Sequence, residues 1–321
     1  MAETVIATLR GSLRAAGFVL WTLAVGGAWL CVRMFLRKSD RAARAAGGAM
    51  TLHLWSRGLC RLLGLRVKVT GEACRGPALR VGNHRGYLDV IVLSSVSPAL
   101  FVSKDDLATW PVLGYLGASV GTLFLDRTRP RAVAETGAAM SELFALQQSV
   151  IVFPEGTTTA DDGTGAALAP FHSSLFEPAL RGDVAVQAVA LTFAGRTGNA
   201  GDSADAADLA TWTGDATFLP HLWRLFCARG LEVRAIFREP VRGLTDRRAA
   251  ADDAREWIRA TLLNGMSERV GRKPAAHGIG HGAGFVRGIP HELRRLGDRH
   301  RATGFAQQGK VVGRIADRHG A

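Results

Sequence analysis

The chain has 321 residues, of which 47% are hydrophobic and 21% are charged, and its formal net charge is +12. Its length and apolar content suit one sizeable globular domain with appendages. Its four cysteines lie far apart without a Cys-x-x-Cys pair, which argues against a zinc site and against a disulfide framework.

The basic residues are concentrated at the two ends of the chain. Residues 1–48 carry seven basic and two acidic side chains, and residues 271–321 carry ten and three, whereas residues 49–270 are neutral. A nucleic-acid domain usually carries its basic patch on the fold itself. We therefore expect no nucleic-acid partner, and we expect the basic ends to meet an anionic membrane surface.

The first segment contains an uncharged apolar run. Residues 15–32 read AAGFVLWTLAVGGAWLCV, which is at the lower limit of length for a helix that spans a bilayer. The basic cluster that follows it, residues 33–44, is heavier than the pair before it, Arg10 and Arg14. The positive-inside rule then places the rest of the chain in the cytoplasm. A helix lying in the membrane interface, a signal peptide or a core helix are the alternatives.

Apolar strands and amphipathic helices alternate through residues 49–270. Strands are predicted at 66–71, 78–82, 99–104, 121–126, 149–156, 184–195 and 231–237. Helices are predicted at 51–65, 88–96, 105–119 (two short ones), 132–148, 171–180, 219–227 and 246–263. This alternation predicts an α/β domain whose mixed, mainly parallel sheet is flanked by helices. Residues 271–321 read as a basic, disordered tail, in which the irregular spacing of five histidines does not favour a metal site.

The stretch VGNHRGYLDV, which follows the predicted strand 78–82, holds a histidine and an aspartate on one turn. Asp89 lies five positions after His84, near the start of a helix, so its carboxylate can reach the imidazole. A carboxylate on one ring nitrogen leaves the other free to take a proton from a hydroxyl group. A helix-capping aspartate beside a satisfied loop histidine is the structural alternative.

Two further strand ends carry polar groups. GTLFLDR ends with Arg127, which is suited to binding a phosphate, although a surface ion pair is the common use of such an arginine. VFPEGTTT places Glu155 and Gly156 in a tight turn, with Thr157 following, and the glycine allows close backbone approach to a ligand. Polar groups at neighbouring strand ends line the edge at which α/β folds build sites.

These motifs together resemble one family. NHRGYLD, GTLFLDR and FPEGT, in this order and spacing, are similar to the glycerolipid acyltransferases, which include the 1-acylglycerol-3-phosphate acyltransferases, and the resemblance covers about residues 60–245. FVSKDDLATWPVLGYL also resembles the family's segment between the first two motifs, and it contains Lys104 in a matching place. The resemblance implies a catalytic pair, His84 and Asp89. It also implies a substrate site, whose residues would be Arg127, Glu155, Gly156, Thr157 and Lys104.

The function that the resemblance implies is that of a membrane-attached O-acyltransferase in segment 49–270. The donor would be acyl-CoA or acyl-carrier protein, the acceptor 1-acylglycerol-3-phosphate, and the product phosphatidic acid, and neither a cofactor nor a metal is expected. Two departures from the family pattern bear on the acceptor: Thr158 stands where FPEGTR has arginine, and Ala188 stands at a family proline. A lyso-ornithine lipid is therefore an alternative acceptor, and a non-catalytic lipid-binding scaffold is the alternative from another class.

Overall fold

The computed structural model describes residues 2–110, 112–126, 129–159, 167–195, 208–212 and 217–270. Its helices are α1 Ala2–Phe35, α2 Arg41–Leu63, α3 Tyr87–Val96, α4 Leu113–Val120, α5 Pro130–Ala145, α6 Glu177–Arg181, α7 Phe218–Cys227 and α8 Arg247–Val270, with short 3-10 helices at Asp105–Thr109 and Ser173–Leu175. Its strands are β1 Arg66–Thr70, β2 Ala78–Gly82, β3 Leu100–Lys104, β4 Leu123–Leu125, β5 Val150–Val152, β6 Ala185–Gly195 and β7 Leu231–Phe237. The predicted tail and most of the loop before α7 lie outside the described residues.

The seven strands form one sheet in the order β1-β7-β6-β2-β5-β3-β4. Each neighbouring pair is parallel except β6 and β7, which are antiparallel. The prediction of a mixed, mainly parallel α/β sheet is thus confirmed. The predicted strand 149–156 is shorter, because after Val152 the chain turns back on itself with a hydrogen bond from Gly156 N–H to the Phe153 carbonyl.

The sheet is covered by helices on both faces, as continuous apolar strands require. In β5, Ile151 faces a core shared with α2, α3 and α7, while Val150 and Val152 face a second core shared with α5, α6 and α8. Because β2, β5, β3 and β4 run in the same direction, their carboxyl ends meet at one edge. The motifs that follow β2 and β5 therefore lie side by side.

One charged side chain lies inside the sheet. Arg80, in the middle of β2, is buried and donates to the carbonyls of Cys74 and Pro98. Its strand neighbour Gln187 accepts the N–H of Cys74 and donates to the carbonyl of Glu72, so the two side chains fix the loop between β1 and β2. Burial lowers the pKa of Arg80 to about 10, because desolvation penalises its charge.

Helix α1 is long and apolar enough to cross a membrane, and it is the one such helix found among the described residues. In the structure it packs along α2, α7 and α4. The side chains of Arg10 and Arg14 donate to the last carbonyls of α7 at 2.6 Å, to Cys227 and to Ala228 respectively. Trp29 lies 19 positions after Arg10 and donates its indole N–H to the carbonyl of Ser119 at the end of α4. The predicted boundary between segments 1–48 and 49–270 stays a prediction.

The contact between α2 and α4 generates a first prediction. A Cβ atom added to Gly48 of α2 would lie 2.0 Å from the carbonyl oxygen of Val120, which is backbone and cannot move aside cheaply. Gly48→Ala should lower the free energy of unfolding by about 1–3 kcal/mol, and the midpoint of thermal unfolding by several degrees.

The matched control is Gly27→Ala in α1, where an added Cβ atom would have no atom of the described residues within 4 Å. Since alanine is favoured over glycine in a helix by about 1 kcal/mol, this variant should melt at or above the wild-type temperature. Equal melting temperatures for the two variants would contradict the close approach of α2 to α4.

Candidate active site

The predicted catalytic histidine lies in the turn between β2 and α3, residues 83–86, which is named the catalytic turn and is organised by one carboxylate. Asp89 is fully buried in the first turn of α3, and its Oδ2 accepts three hydrogen bonds: from His84 Nδ1 at 2.9 Å, from Arg85 N–H at 2.6 Å and from Gly86 N–H at 2.9 Å. Since a carboxylate can only accept, His84 carries its proton on Nδ1, and Nε2 keeps its lone pair. The imidazole can therefore take a proton at Nε2.

The position of His84 is fixed from several directions. Its ring stacks on Phe153 with centroids 4.2 Å apart and an angle of 11° between the planes, and 21% of its side chain is exposed. Asn83, just before it, exchanges two hydrogen bonds with the backbone of Leu191, which joins the end of β2 to β6. The histidine thus has one accessible edge on a rigid support, as a general base needs.

Glu155 lies directly behind this histidine. Its side chain is buried, and its Oε1 accepts the backbone N–H of His84 at 2.8 Å. Its Oε2 accepts the backbone N–H of Ala169 at 3.0 Å and the hydroxyl of Thr159. Thr159 in turn donates its N–H to the His84 carbonyl at 2.9 Å. In this arrangement Glu155 braces the catalytic turn through its backbone, and a direct contact with substrate stays a prediction.

The other predicted site residues are more exposed. Gly156 has a φ of +79°, which favours glycine because a Cβ is strained there. Thr157 is exposed, and Thr158 is partly buried beside it. Lys104, at the end of β3, is exposed and pairs with Asp106. Arg127 lies outside the described residues, so its predicted role at the head group stays a prediction. The structure therefore brings together His84, Asp89 and the Glu155–Gly156 turn.

Sequence reasoning missed a second layer over the turn, formed by residues 208–212 and α7. The N–H of Trp212 donates to the carbonyl of Arg85 at 2.9 Å, and a Cβ on Gly86 would lie 2.9 Å from the carbonyl of Ala210. Tyr87 Oη lies 2.9 Å from His221 Nδ1. Burial raises the pKa of Tyr87, so its hydroxyl stays protonated and donates to that nitrogen.

An aromatic cluster accompanies this layer. Its rings pack edge to face and belong to Tyr87, Trp110, Trp212 and Phe218. A tyrosine inside the His-x4-Asp motif was the one sequence signal available for it. Among the described residues no group of three or more His, Cys, Asp or Glu side chains could hold a metal ion.

The fold and the site define a class of protein: an α/β domain whose histidine, oriented by a buried aspartate, is placed to take a proton from a hydroxyl group. A family model described as Acyltransferase matches residues 66–192. The lyso-ornithine lipid O-acyltransferase of Pseudomonas aeruginosa is 32% identical over 84% of this chain and 100% of its own length. The 1-acyl-sn-glycerol-3-phosphate acyltransferase of Neisseria meningitidis is 31% identical over 65% of this chain and 79% of its own length.

The chain belongs to this acyltransferase family, and it is an acyltransferase for lysolipid acceptors. A crystal structure of the 1-acyl-sn-glycerophosphate acyltransferase of Thermotoga maritima has the same fold, with a TM-score of 0.56 and 19% identity over 84% of this chain and 98% of the other.

The site generates a second prediction. His84→Ala should lower kcat by about 10²–10⁴-fold, because the group that takes the acceptor proton is lost. His172→Ala is the matched control and should keep turnover near that of the wild type. His172 is exposed, and its backbone N–H donates to the Pro154 carbonyl near the same edge of the sheet. Turnover of both variants on purified, membrane-reconstituted protein is the measurement. Near-wild-type turnover of His84→Ala would exclude this histidine as the base.

Proposed function

We propose that the enzyme transfers an acyl chain from acyl-CoA or acyl-carrier protein to the free hydroxyl of a lyso-ornithine lipid, on the cytoplasmic surface of a membrane. The observation that carries the choice of acceptor is Thr158, which stands where the family motif has arginine. Two relatives that cover most of this chain, from Pseudomonas aeruginosa and Rhizobium meliloti (33% identical over 69% of this chain and 77% of its own length), are lyso-ornithine lipid O-acyltransferases.

The chemistry follows from the state of His84. Its Nε2 takes the proton of the acceptor hydroxyl as the oxygen attacks the thioester carbon, and the resulting imidazolium is stabilised by Asp89. When the tetrahedral intermediate collapses, the carbon–sulfur bond breaks and the thiolate takes the proton back from His84. The thioester is already activated, so an acyl-enzyme is unnecessary.

The head group decides between the two candidate acceptors. An ornithine lipid has no phosphate group, so a site for it needs no second arginine in the FPEGTT turn. A phosphate monoester gains from each charge-assisted hydrogen bond it accepts, about 1.5–3 kcal/mol. The second candidate acceptor is therefore 1-acylglycerol-3-phosphate, which the Neisseria relative and the expected role of Arg127 favour.

A third prediction separates these acceptors. The wild-type protein should have a higher kcat/KM with lyso-ornithine lipid than with lysophosphatidate. Thr158→Arg should raise kcat/KM with lysophosphatidate about tenfold or more, because it restores a partner for the phosphate, and should not improve use of lyso-ornithine lipid.

Thr158→Met, which adds a longer side chain without a charge at the same position, is the matched control and should not improve use of lysophosphatidate. A wild-type preference for lysophosphatidate, together with a rise of ten- to a hundredfold in its KM on Arg127→Ala, would instead assign the phosphate acceptor.

Attachment to the membrane is proposed to occur along α1, with the helix lying in the interface. Arg10 and Trp29 are both bonded to the domain, and they are about 28 Å apart along the helix at 1.5 Å per residue. Attachment to the domain over nearly the thickness of a hydrocarbon core favours a position of α1 along the interface over a crossing of the bilayer. Its outer side is apolar and exposed, at Val5, Ile6, Leu9, Leu13, Val19, Leu20, Leu23 and Val32.

The charges beside this surface support the same orientation. Arg37, Lys38 and Arg44 lie in or near the turn between α1 and α2, where each basic group close to an anionic leaflet contributes about 1 kcal/mol. Both proposed donors are cytoplasmic, which places the catalytic domain on that side.

A fourth prediction tests attachment without removing α1. Replacing Leu9, Leu13 and Leu20 by glutamate should move the protein from the membrane pellet to the supernatant in high salt, because apolar contact is lost while the bonds of Arg10 and Trp29 remain. The control places three glutamates on α5, at the exposed Ala134, Ala138 and Ala145. Retention of the α1 variant in the pellet would assign the attachment to another surface.

A further inference from the structure

Arg255 of α8 is connected to the catalytic histidine through one peptide group. Its Nη2 donates to the carbonyl of Leu168 at 2.7 Å, and its Nε donates to the carbonyl of Ala169 at 3.0 Å. The N–H of the Leu168–Ala169 peptide group donates to Glu155 Oε2 at 3.0 Å, and Glu155 Oε1 accepts the N–H of His84 at 2.8 Å. A continuous chain of hydrogen bonds therefore connects Arg255 of α8 to the backbone of His84.

We propose that Arg255 is a positioning residue for acyl transfer and that it acts through Glu155. This inference rests on the proposed role of His84 as the base. Residue 255 lies outside the part of the chain that matches the family model, residues 66–192.

The physical reason is polarisation and restraint of the shared peptide group. A guanidinium at the Leu168 carbonyl draws electron density toward that oxygen, which strengthens donation by the N–H at the opposite end of the same peptide group. That N–H holds one oxygen of the buried Glu155 carboxylate, while the other oxygen holds the backbone of His84. Without Arg255, residues 168 and 169 are no longer held in place. The carboxylate of Glu155, which holds the backbone of His84, then loses one of its own restraints.

A purely structural role for Arg255, as an attachment of α8 to the domain, makes a different prediction. Helix α8 has a second polar attachment two positions earlier, since Asp253 pairs with Arg238, whose guanidinium also lies over the ring of Trp257 at 6.0 Å. That pair touches neither Leu168 nor Ala169 through any bond of the described residues. Asp253→Asn is therefore a matched control that weakens the helix attachment alone.

The experiment compares Arg255→Met, Arg255→Lys and Asp253→Asn in the full-length protein reconstituted with lipid. Arg255→Met should lower kcat about ten- to a hundredfold, with KM for both acceptor and acyl donor changed less than twofold, because binding is retained while the base is misplaced. Arg255→Lys can reach one carbonyl and should recover part of the kcat. Asp253→Asn should keep wild-type kcat, and the melting temperatures of the three variants measure how far each one weakens the attachment of α8.

A double-variant cycle tests the route through Glu155. Thr159→Val removes the hydroxyl that donates to the same Oε2 of Glu155. If both residues act through Glu155, their effects on kcat are coupled. The loss of kcat in the double variant should then differ at least threefold from the product of the two single losses. Wild-type kcat in Arg255→Met, an equal loss in Asp253→Asn, or independent effects in the cycle would each overturn the proposal. If His84→Ala remains active, the proposed role of His84 as the base fails instead. An inactive His84→Ala beside a fully active Arg255→Met removes the role of Arg255 alone.

Discussion

The buried carboxylate of Asp89 is the interaction on which the rest of the site depends. A carboxylate removed from water is costly unless donors surround it, and here three N–H groups converge on one of its oxygens at the start of α3. The positive end of that helix adds to its stabilisation. Because two of the donors belong to the backbone of the turn itself, the charge that orients His84 also holds the turn in shape. When His84 takes a proton, it forms an ion pair with Asp89, whose charge is already stabilised by these preorganised N–H donors.

Much of this arrangement could be predicted from the sequence, because it depends on neighbours along the chain. The seven strands were predicted from apolar runs, and the parallel order of β2 and β5 places two short motifs at one edge. The pairing of His84 with Asp89 follows from a spacing of five residues at the start of a helix. The role of Glu155 as a brace could not be predicted in the same way, since the sequence does not show whether a carboxylate in a turn faces inward or outward.

The remainder depends on contacts between distant parts of the chain. Periodicity identifies α7 as amphipathic, but it does not show that His221 of this helix contacts the hydroxyl of Tyr87, or that Trp212 binds the backbone of Arg85. Arg80 stands in a strand predicted as apolar, and its burial is explained by acceptors in neighbouring loops, the carbonyls of Cys74 and Pro98 and the hydroxyl of Ser97. Hydropathy likewise cannot distinguish a helix that crosses a bilayer from one that lies along a domain. For α1 the proposed position in the interface rests instead on the bonds of Arg10, Arg14 and Trp29 to the ends of α7 and α4.

The division between buried and exposed residues separates the chemistry from the choice of acceptor. His84, Asp89 and Glu155 are joined by hydrogen bonds within the protein. If His84 is the base, a change in any of them should affect the same transfer step whichever lipid is bound. The residues expected to meet the head group, among them Thr158 and Lys104, lie nearer the solvent and carry few of the bonds that hold the turn. An exposed side chain can change with little cost in stability, usually within about 0.5 kcal/mol. On the proposed function, a phosphate can therefore be exchanged for an amino-acid head group while the catalytic turn stays the same, and this is the reason that the proposal assigns the choice of acceptor to a threonine in the FPEGTT turn.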